Sequence, residues 1–325
     1  MKDGSKIGWS DTFFGKDASK SAKRMTHLKK SSGAAAALLS AILIFGTVGV
    51  LKHYIPLPAA LVALIRGLLG SLFLILFMLV TKKRFSFKAA KEDLPVLLLS
   101  GGCIGVNWLL LFEAVDVSVS VGTLCYYTAP IFVILFSPLL LKEKLTPVKL
   151  VAVFVALGGM LLVSGVFESG KGAGLPCVLY GLGAALLYAS VMILNKKLKR
   201  VSAYERTVVQ LLAASLVLLP FCLFGGEFEE LSSCGATDWI LLAVIGIVHT
   251  GLAYALYFGS MMHLPGQTVA LLSYLDPATA ILWAALLLSE IPSPLTAVGA
   301  VLVIGAAMAG ELLPGVLQKK KKDAK

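Results

Sequence analysis

The sequence is short of charge: 14% of its 325 residues are Asp, Glu, Lys or Arg, against 58% that are hydrophobic. With a mean hydropathy of +0.89, it has too little polar surface to coat a soluble globule. No long polar stretch separates the apolar blocks, which excludes an independent catalytic or ATP-hydrolysing domain. Its 4 histidines and 5 cysteines lack metal-ligand spacing. Cys103, Cys125 and Cys222 fall inside apolar blocks, while Cys177 and Cys234 lie near a common face and leave one disulfide open. HExxH, GxSxG and acid-rich metal motifs are missing, so neither an enzyme nor a cofactor is expected. The stretch GVFESGK at 165–171 imitates a phosphate-binding loop, but Gly172 stands where Ser or Thr is required and no strand precedes it.

What is present is a series of long apolar runs. A bilayer core roughly 30 Å thick requires about 17 to 25 apolar helical residues per crossing. Ten segments qualify: Gly33 to Leu51, Ala59 to Val80, Leu94 to Val115, Val119 to Leu141, Leu150 to Val166, Leu175 to Leu194, Thr207 to Phe224, Trp239 to Phe258, Gln267 to Leu288 and Pro294 to Leu313. Consecutive apolar positions, as in Ser71 to Val80, exclude the alternating pattern of a β-barrel. The expected fold class is therefore all-α, a polytopic membrane protein of ten helices.

Basic residues sort to one side of this topology. If the N-terminus is inside, 26 of the 29 Lys and Arg residues fall on inside segments. The positive-inside rule then puts both termini in the cytoplasm of a cell-membrane protein. The net charge of +11 is spread over short loops, so it points to the lipid bilayer as partner and not to nucleic acid. Residues 1–32 read as a basic, disordered cytoplasmic tail, with Trp9 to Phe14 as a conceivable interface contact, and 314–325 as a second basic tail.

An internal repeat organises the helices. Ser120 to Pro147 aligns without a gap on Gln267 to Pro294, matching Tyr127 with Tyr274, Pro130 with Pro277, Glu143 with Glu290 and Pro147 with Pro294, each pair 147 residues apart. AALLSA at Ala36 to Ala41 matches AALLYA at Ala184 to Ala189, and Gly105 and Phe112 match Gly251 and Phe258. The repeats, 33–166 and 174–313, hold five spans each. An odd number makes the second enter the membrane in the opposite sense, a plan suited to alternating access around a midplane site.

The paired Tyr-x-x-Pro with Glu thirteen residues beyond the Pro, the PLPAALVALIRGLL stretch around Arg66 and the Phe45-Gly46 pair together resemble the drug/metabolite transporter superfamily, in its EamA-type ten-helix form. The resemblance implies a central cavity lined by helices 1, 3, 4, 6, 8 and 9. It also implies a small-molecule solute as partner; known members move amino acids, other metabolites or drugs.

Candidate residues follow. Asn107, Trp108, Tyr126, Tyr127, Tyr188, Tyr254, Tyr257 and Tyr274 are cavity-wall candidates, with Tyr127 and Tyr274 favoured by the repeat. Asp276, beside Pro277, is a carboxylate in mid-span that needs a partner, water or a proton. Arg66 costs about 2.5 to 3.5 kcal/mol at a helix centre, and is either an architectural anchor or a cavity charge. Glu113 and His249 are charge or coupling candidates, although a lone His is more often hydrogen-bonded packing; Asp116 reads as a solvated interface residue. Pro130 and Pro277 are expected to bend their helices in mid-span, as gates or as static bends. Glu143 and Glu290, at helix C-terminal ends, oppose the macrodipole and need hydrogen bonds, whether structural or gating. Gly101, Gly105, Gly158, Gly159 and Gly305 would allow close packing within the bundle or in a homodimer. The expected function is secondary transport of a small metabolite, such as an amino acid or related solute, by alternating access; the alternative is a non-transporting scaffold or channel-like bundle.

Overall fold

The structure, a computed structural model, describes residues 31–83, 85–164, 167, 174–289 and 291–323. Glu290, the tail through residue 30 and most of the 165–171 stretch lie outside these.

Among the described residues, ten apolar helices form the bundle. They are α1 (Ser31–His53), α2 (Ala59–Val80), α3 (Phe87–Val117), α4 in two halves, α4a (Val119–Tyr126) and α4b (Ala129–Leu140), and α5 (Pro147–Val163). The second five are α6 (Leu175–Lys197), α7 (Ala203–Phe224), α8 (Ala236–Ser260), α9 in halves α9a (Gly266–Ser273) and α9b (Leu275–Leu287), and α10 (Pro294–Asp323). Eight are long and apolar enough to cross a membrane, while α5 and the apolar part of α10 (Pro294–Gly310) are shorter.

Local chemistry sets the ends. Thr146 accepts from the Lys149 amide just before Pro147, whose missing N–H costs nothing at a helix start. Ser202 and Glu205 form a capping box on α7, and Glu205 also accepts from the Ser86 amide at 2.5 Å, tying the start of α3 to that of α7. Two boundaries differ from the sequence reading. α3 begins about two turns earlier, because Ser86 supplies a cap ahead of the apolar block. α10 continues into the basic tail segment as far as Asp323, since Leu, Gln and Lys are good helix formers.

The ends of α4, α6 and α8 surround one surface depression, and the starts of α1 and α7 meet the end of α8 at another. All lie on one side of the bundle, here called the terminal face. Packing shows the pseudo-two-fold relation between repeats: α2 packs on α7 and α5 on α10, each against its own counterpart, while α3 packs on α7 as α8 packs on α2. A helix touches its own counterpart where it lies along a symmetry axis. At the α5–α10 crossing a Cβ on Gly159 would meet the Gly299 carbonyl, and one on Gly299 would meet that of Gly159. Small residues thus let the backbones touch where apolar burial gives no net drive. Gly101 and Gly105 do the same against α7, whereas Gly158 and Gly305 face open space.

All five cysteines are free. The open disulfide between Cys177 and Cys234 does not form; Cys177 is buried and donates its S–H to the Ala114 carbonyl at 3.2 Å.

Candidate functional site

The site begins with two interrupted helices. α4 breaks at Tyr127–Thr128 and α9 at Tyr274. Pro130 and Pro277, at the mid-span positions the sequence suggested, each sit in the first turn after the interruption, within a single apolar span whose backbone stays right-handed at the break. The carbonyls four residues earlier, on Tyr126 and Ser273, lose the donors a continuous helix would give them. Interrupted backbone at membrane depth is tolerated where it is buried in protein or lines a cavity.

A cavity occupies that position. Ile42, Phe45, Tyr126, Tyr127, Ala129, Pro130, Tyr188, Tyr257, Ser273 and Asp276 line it, around a cavity volume of about 40 Å³. α1, α4, α6, α8 and α9 contribute; α3, implied by the resemblance, stands one layer behind. Hydroxyl groups join the wall: Tyr188 donates to Tyr257 Oη at 2.9 Å, Tyr257 meets Ser273 Oγ at 2.7 Å, and Tyr127 reaches Asp276 Oδ2 at 3.4 Å. Asp276 lies in the first turn of α9b, the positive end of that helix. Gly46 leaves room for Thr279 against α1, which brings α9b beside Phe45.

The remaining candidates separate. Asn107, 2% exposed, spends its amide on the Ala184 carbonyl at 2.6 Å, so it ties α3 to α6 and does not line the cavity. Trp108 lies beneath Arg66, whose guanidinium carbon is 4.2 Å from the ring centroid. Tyr254 packs edge-on to Trp108 and Phe45, behind the lining. Tyr274, the counterpart of Tyr127, is fully buried, and its hydroxyl has no hydrogen-bond partner. Glu113 is exposed about one turn from the end of α3 and Asp116 is exposed beside it, both away from the cavity. His249 is buried in a π-helical stretch of α8 (Ile245–Leu252) with both ring nitrogens engaged, by Thr47 Oγ1 at 2.7 Å and the Val244 carbonyl at 3.3 Å.

Arg66 is the exception to this economy. Its Nε is buried without a partner, and among the described residues the one ion pair is Arg200–Glu92, on the surface. Glu143 lies past the end of α4b and accepts from the amides of Gly266 at 2.6 Å and Gln267 at 3.0 Å. It thus caps the start of α9, where the macrodipole favours a carboxylate, and the opposition expected from its own helix is not felt. Gln267 to Ser137 Oγ at 2.7 Å and Lys149 to Thr268 Oγ1 at 3.3 Å extend this clasp between α4b, α5 and α9a.

The sequence reading missed Ile42, Phe45, Ala129 and Ser273 as lining residues. The Phe-Gly pair and the position of Ser273 four residues before Pro277 carried the available signal.

Two segments, residues 31–165 and 175–309, match the model of the EamA-like transporter family. The chain belongs to that family. It is similar to the uncharacterized transporter YxxF of Bacillus subtilis (strain 168), 30% identical over 78% of this chain and 81% of the relative. It is also similar to the threonine/homoserine exporter RhtA of Escherichia coli (strain K12), 25% identical over 82% of this chain and 87% of that one. A solved structure superposes with a TM-score of 0.75 at 20% identity, over 88% of this chain and 99% of that chain, and supports the fold. The molecule is a membrane transporter of the EamA-like family and not an enzyme. Its two matched segments each contribute one interrupted helix, α4 and α9, to the cavity.

Proposed function

We propose that this EamA-like transporter moves a small metabolite, an amino acid or related solute, by alternating access between its two inverted repeats. The observation that carries the reading is the polar-lipped cavity where one broken helix from each repeat meets the other. A non-transporting scaffold would have no use for a carboxylate and a chain of tyrosine hydroxyls deep in an apolar bundle. The similarity to a threonine/homoserine exporter favours amino-acid chemistry.

The bias of 26 of 29 basic residues to one side makes the terminal face cytoplasmic in this reading. On that face the Glu143–Gly266/Gln267 clasp holds α4b to α9a, whereas α4a and α9b have no comparable packing. The conformation is accordingly closed toward the cytoplasm, with its route to the cavity between the outer half-helices. Rocking of the repeats would break the clasp and close the opposite side.

Reconstitution into liposomes preloaded with unlabelled solute tests this. Saturable counterflow of a labelled amino acid, absent from protein-free vesicles, is expected. No counterflow of any solute among amino acids, nucleobases, polyamines and riboflavin would overturn transport.

A further inference from the structure

The cavity and its surroundings hold two opposite charges that do not pair with each other or with anything else described. Asp276 presents a carboxylate to the cavity, and its side chain meets only the Tyr127 hydroxyl at a long 3.4 Å. Around it stand Tyr126, Tyr127, Tyr188, Tyr257 and Phe45, together with Ser273, whose hydroxyl meets that of Tyr257. Carboxylate, hydroxyl oxygens and aromatic faces are all groups that attract an ammonium.

Arg66 forms the other pole. It stacks on Trp108, its Nε has no partner, and no carboxylate approaches it among the described residues. Three rings in succession lead from it to the cavity: Trp108 touches Tyr254, which touches the lining residue Phe45. Tyr126 lines the cavity, and Tyr254 packs between Trp108 and Phe45. An unpaired buried cation and an unpaired buried anion, held apart across one cavity, make a fixed dipole whose complement is a zwitterion.

We infer that the solute is recognised as a zwitterion, its protonated primary amine against Asp276 inside the tyrosine ring and its carboxylate turned toward Arg66 through Tyr126 and Tyr254. This rests on the transport reading and adds the two groups a solute must carry and the direction in which it lies. A solute with the amine blocked leaves Asp276 uncompensated in a dry site. One with the carboxylate blocked leaves Arg66 so.

The test uses the full-length protein in nanodiscs, with thermal shift and calorimetric titration. Free threonine, homoserine and leucine are compared with their N-acetyl derivatives, methyl esters and decarboxylated amines. At least one free amino acid is expected to bind, with affinity lowered tenfold or more by N-acetylation and severalfold by esterification or decarboxylation. Asp276→Asn should erase the difference between free and N-acetylated forms, and Asp276→Glu should restore part of it. Arg66→Gln should erase the difference between acid and ester. If that variant fails to insert, the acid–ester comparison in the unaltered protein decides the point. Equal binding of free and N-acetyl forms, or unchanged preference in Asp276→Asn, would overturn the inference. Counterflow of nucleobases or riboflavin with no response to amino acids would overturn it while leaving transport intact; absence of counterflow for every class would overturn both.

Discussion

The two interrupted helices share a spacing but not a chemistry. α4 and α9 both break near a tyrosine and restart around a proline, and their residues correspond at 147 positions' distance. Yet Asp276 corresponds to Ala129, and Arg66 of α2 corresponds to Ala213 of α7. Repeat one supplies the buried cation and repeat two the buried anion. Symmetry belongs to the backbone, which the proposed mechanism has exchange two shapes, and polarity belongs to single side chains, which in that proposal meet a solute without symmetry. The tyrosines teach the same lesson on a smaller scale: Tyr127 lines the cavity, whereas Tyr274 is sealed in the core.

The largest effect should come from erasing the polar difference. Asp276→Ala is expected to lower amino-acid counterflow by about 100-fold, near 2.7 kcal/mol by the affinity relation. Adding Ala129→Asp should not recover it, because Arg66 has no mirror-related partner; recovery in the double variant would show that polarity is interchangeable between repeats. Next, Gly159→Leu or Gly299→Leu pushes a side chain into the facing carbonyl and should cost about 1–3 kcal/mol. Thermal unfolding should show a lowered Tm for these two, while Gly158→Leu and Gly305→Leu, which meet nothing, stay near the parent.

Glu143→Gln removes a charge-assisted cap, worth about 1.5–3 kcal/mol for hydrogen bonds to a charged group. It should speed maleimide labelling of an Ala129→Cys reporter from the terminal face; an unchanged rate would show that the clasp does not seal that side. The smallest pair sharpens the tyrosine comparison. Tyr127→Phe should weaken solute binding a few-fold through loss of its contact with Asp276, whereas Tyr274→Phe, which deletes an unpartnered buried hydroxyl, should leave binding alone and hold or raise Tm.

Much of the architecture was legible from sequence because membrane solvent imposes it: ten apolar runs, one-sided lysines and a gap-free repeat leave few alternatives. The site was legible where chemistry alone singled out a residue, as with Asp276 beside a proline in mid-span. It was not legible where the outcome depends on the neighbouring helix. Asn107 could not be separated from a lining residue until the Ala184 carbonyl was found in front of it. Tyr274 inherited a cavity position from Tyr127 only on the assumption that both half-helices present the same face. Phe45 went unlisted as a wall because the space beside it is made by Gly46 admitting Thr279, a contact 233 residues away in sequence. Spacing fixes which residues share an element, and packing fixes which side of it matters.

The seams between α2 and α7 and between α5 and α10 carry a consequence for ancestry and assembly. Each joins a helix to its own copy, so the surfaces match whether or not one polypeptide carries both. Two five-helix chains translated separately, and threaded into the bilayer in opposite senses, would present the same faces to each other. The fold is in this sense a tethered pair of antiparallel twins, each holding a buried charge that the other lacks at the equivalent position.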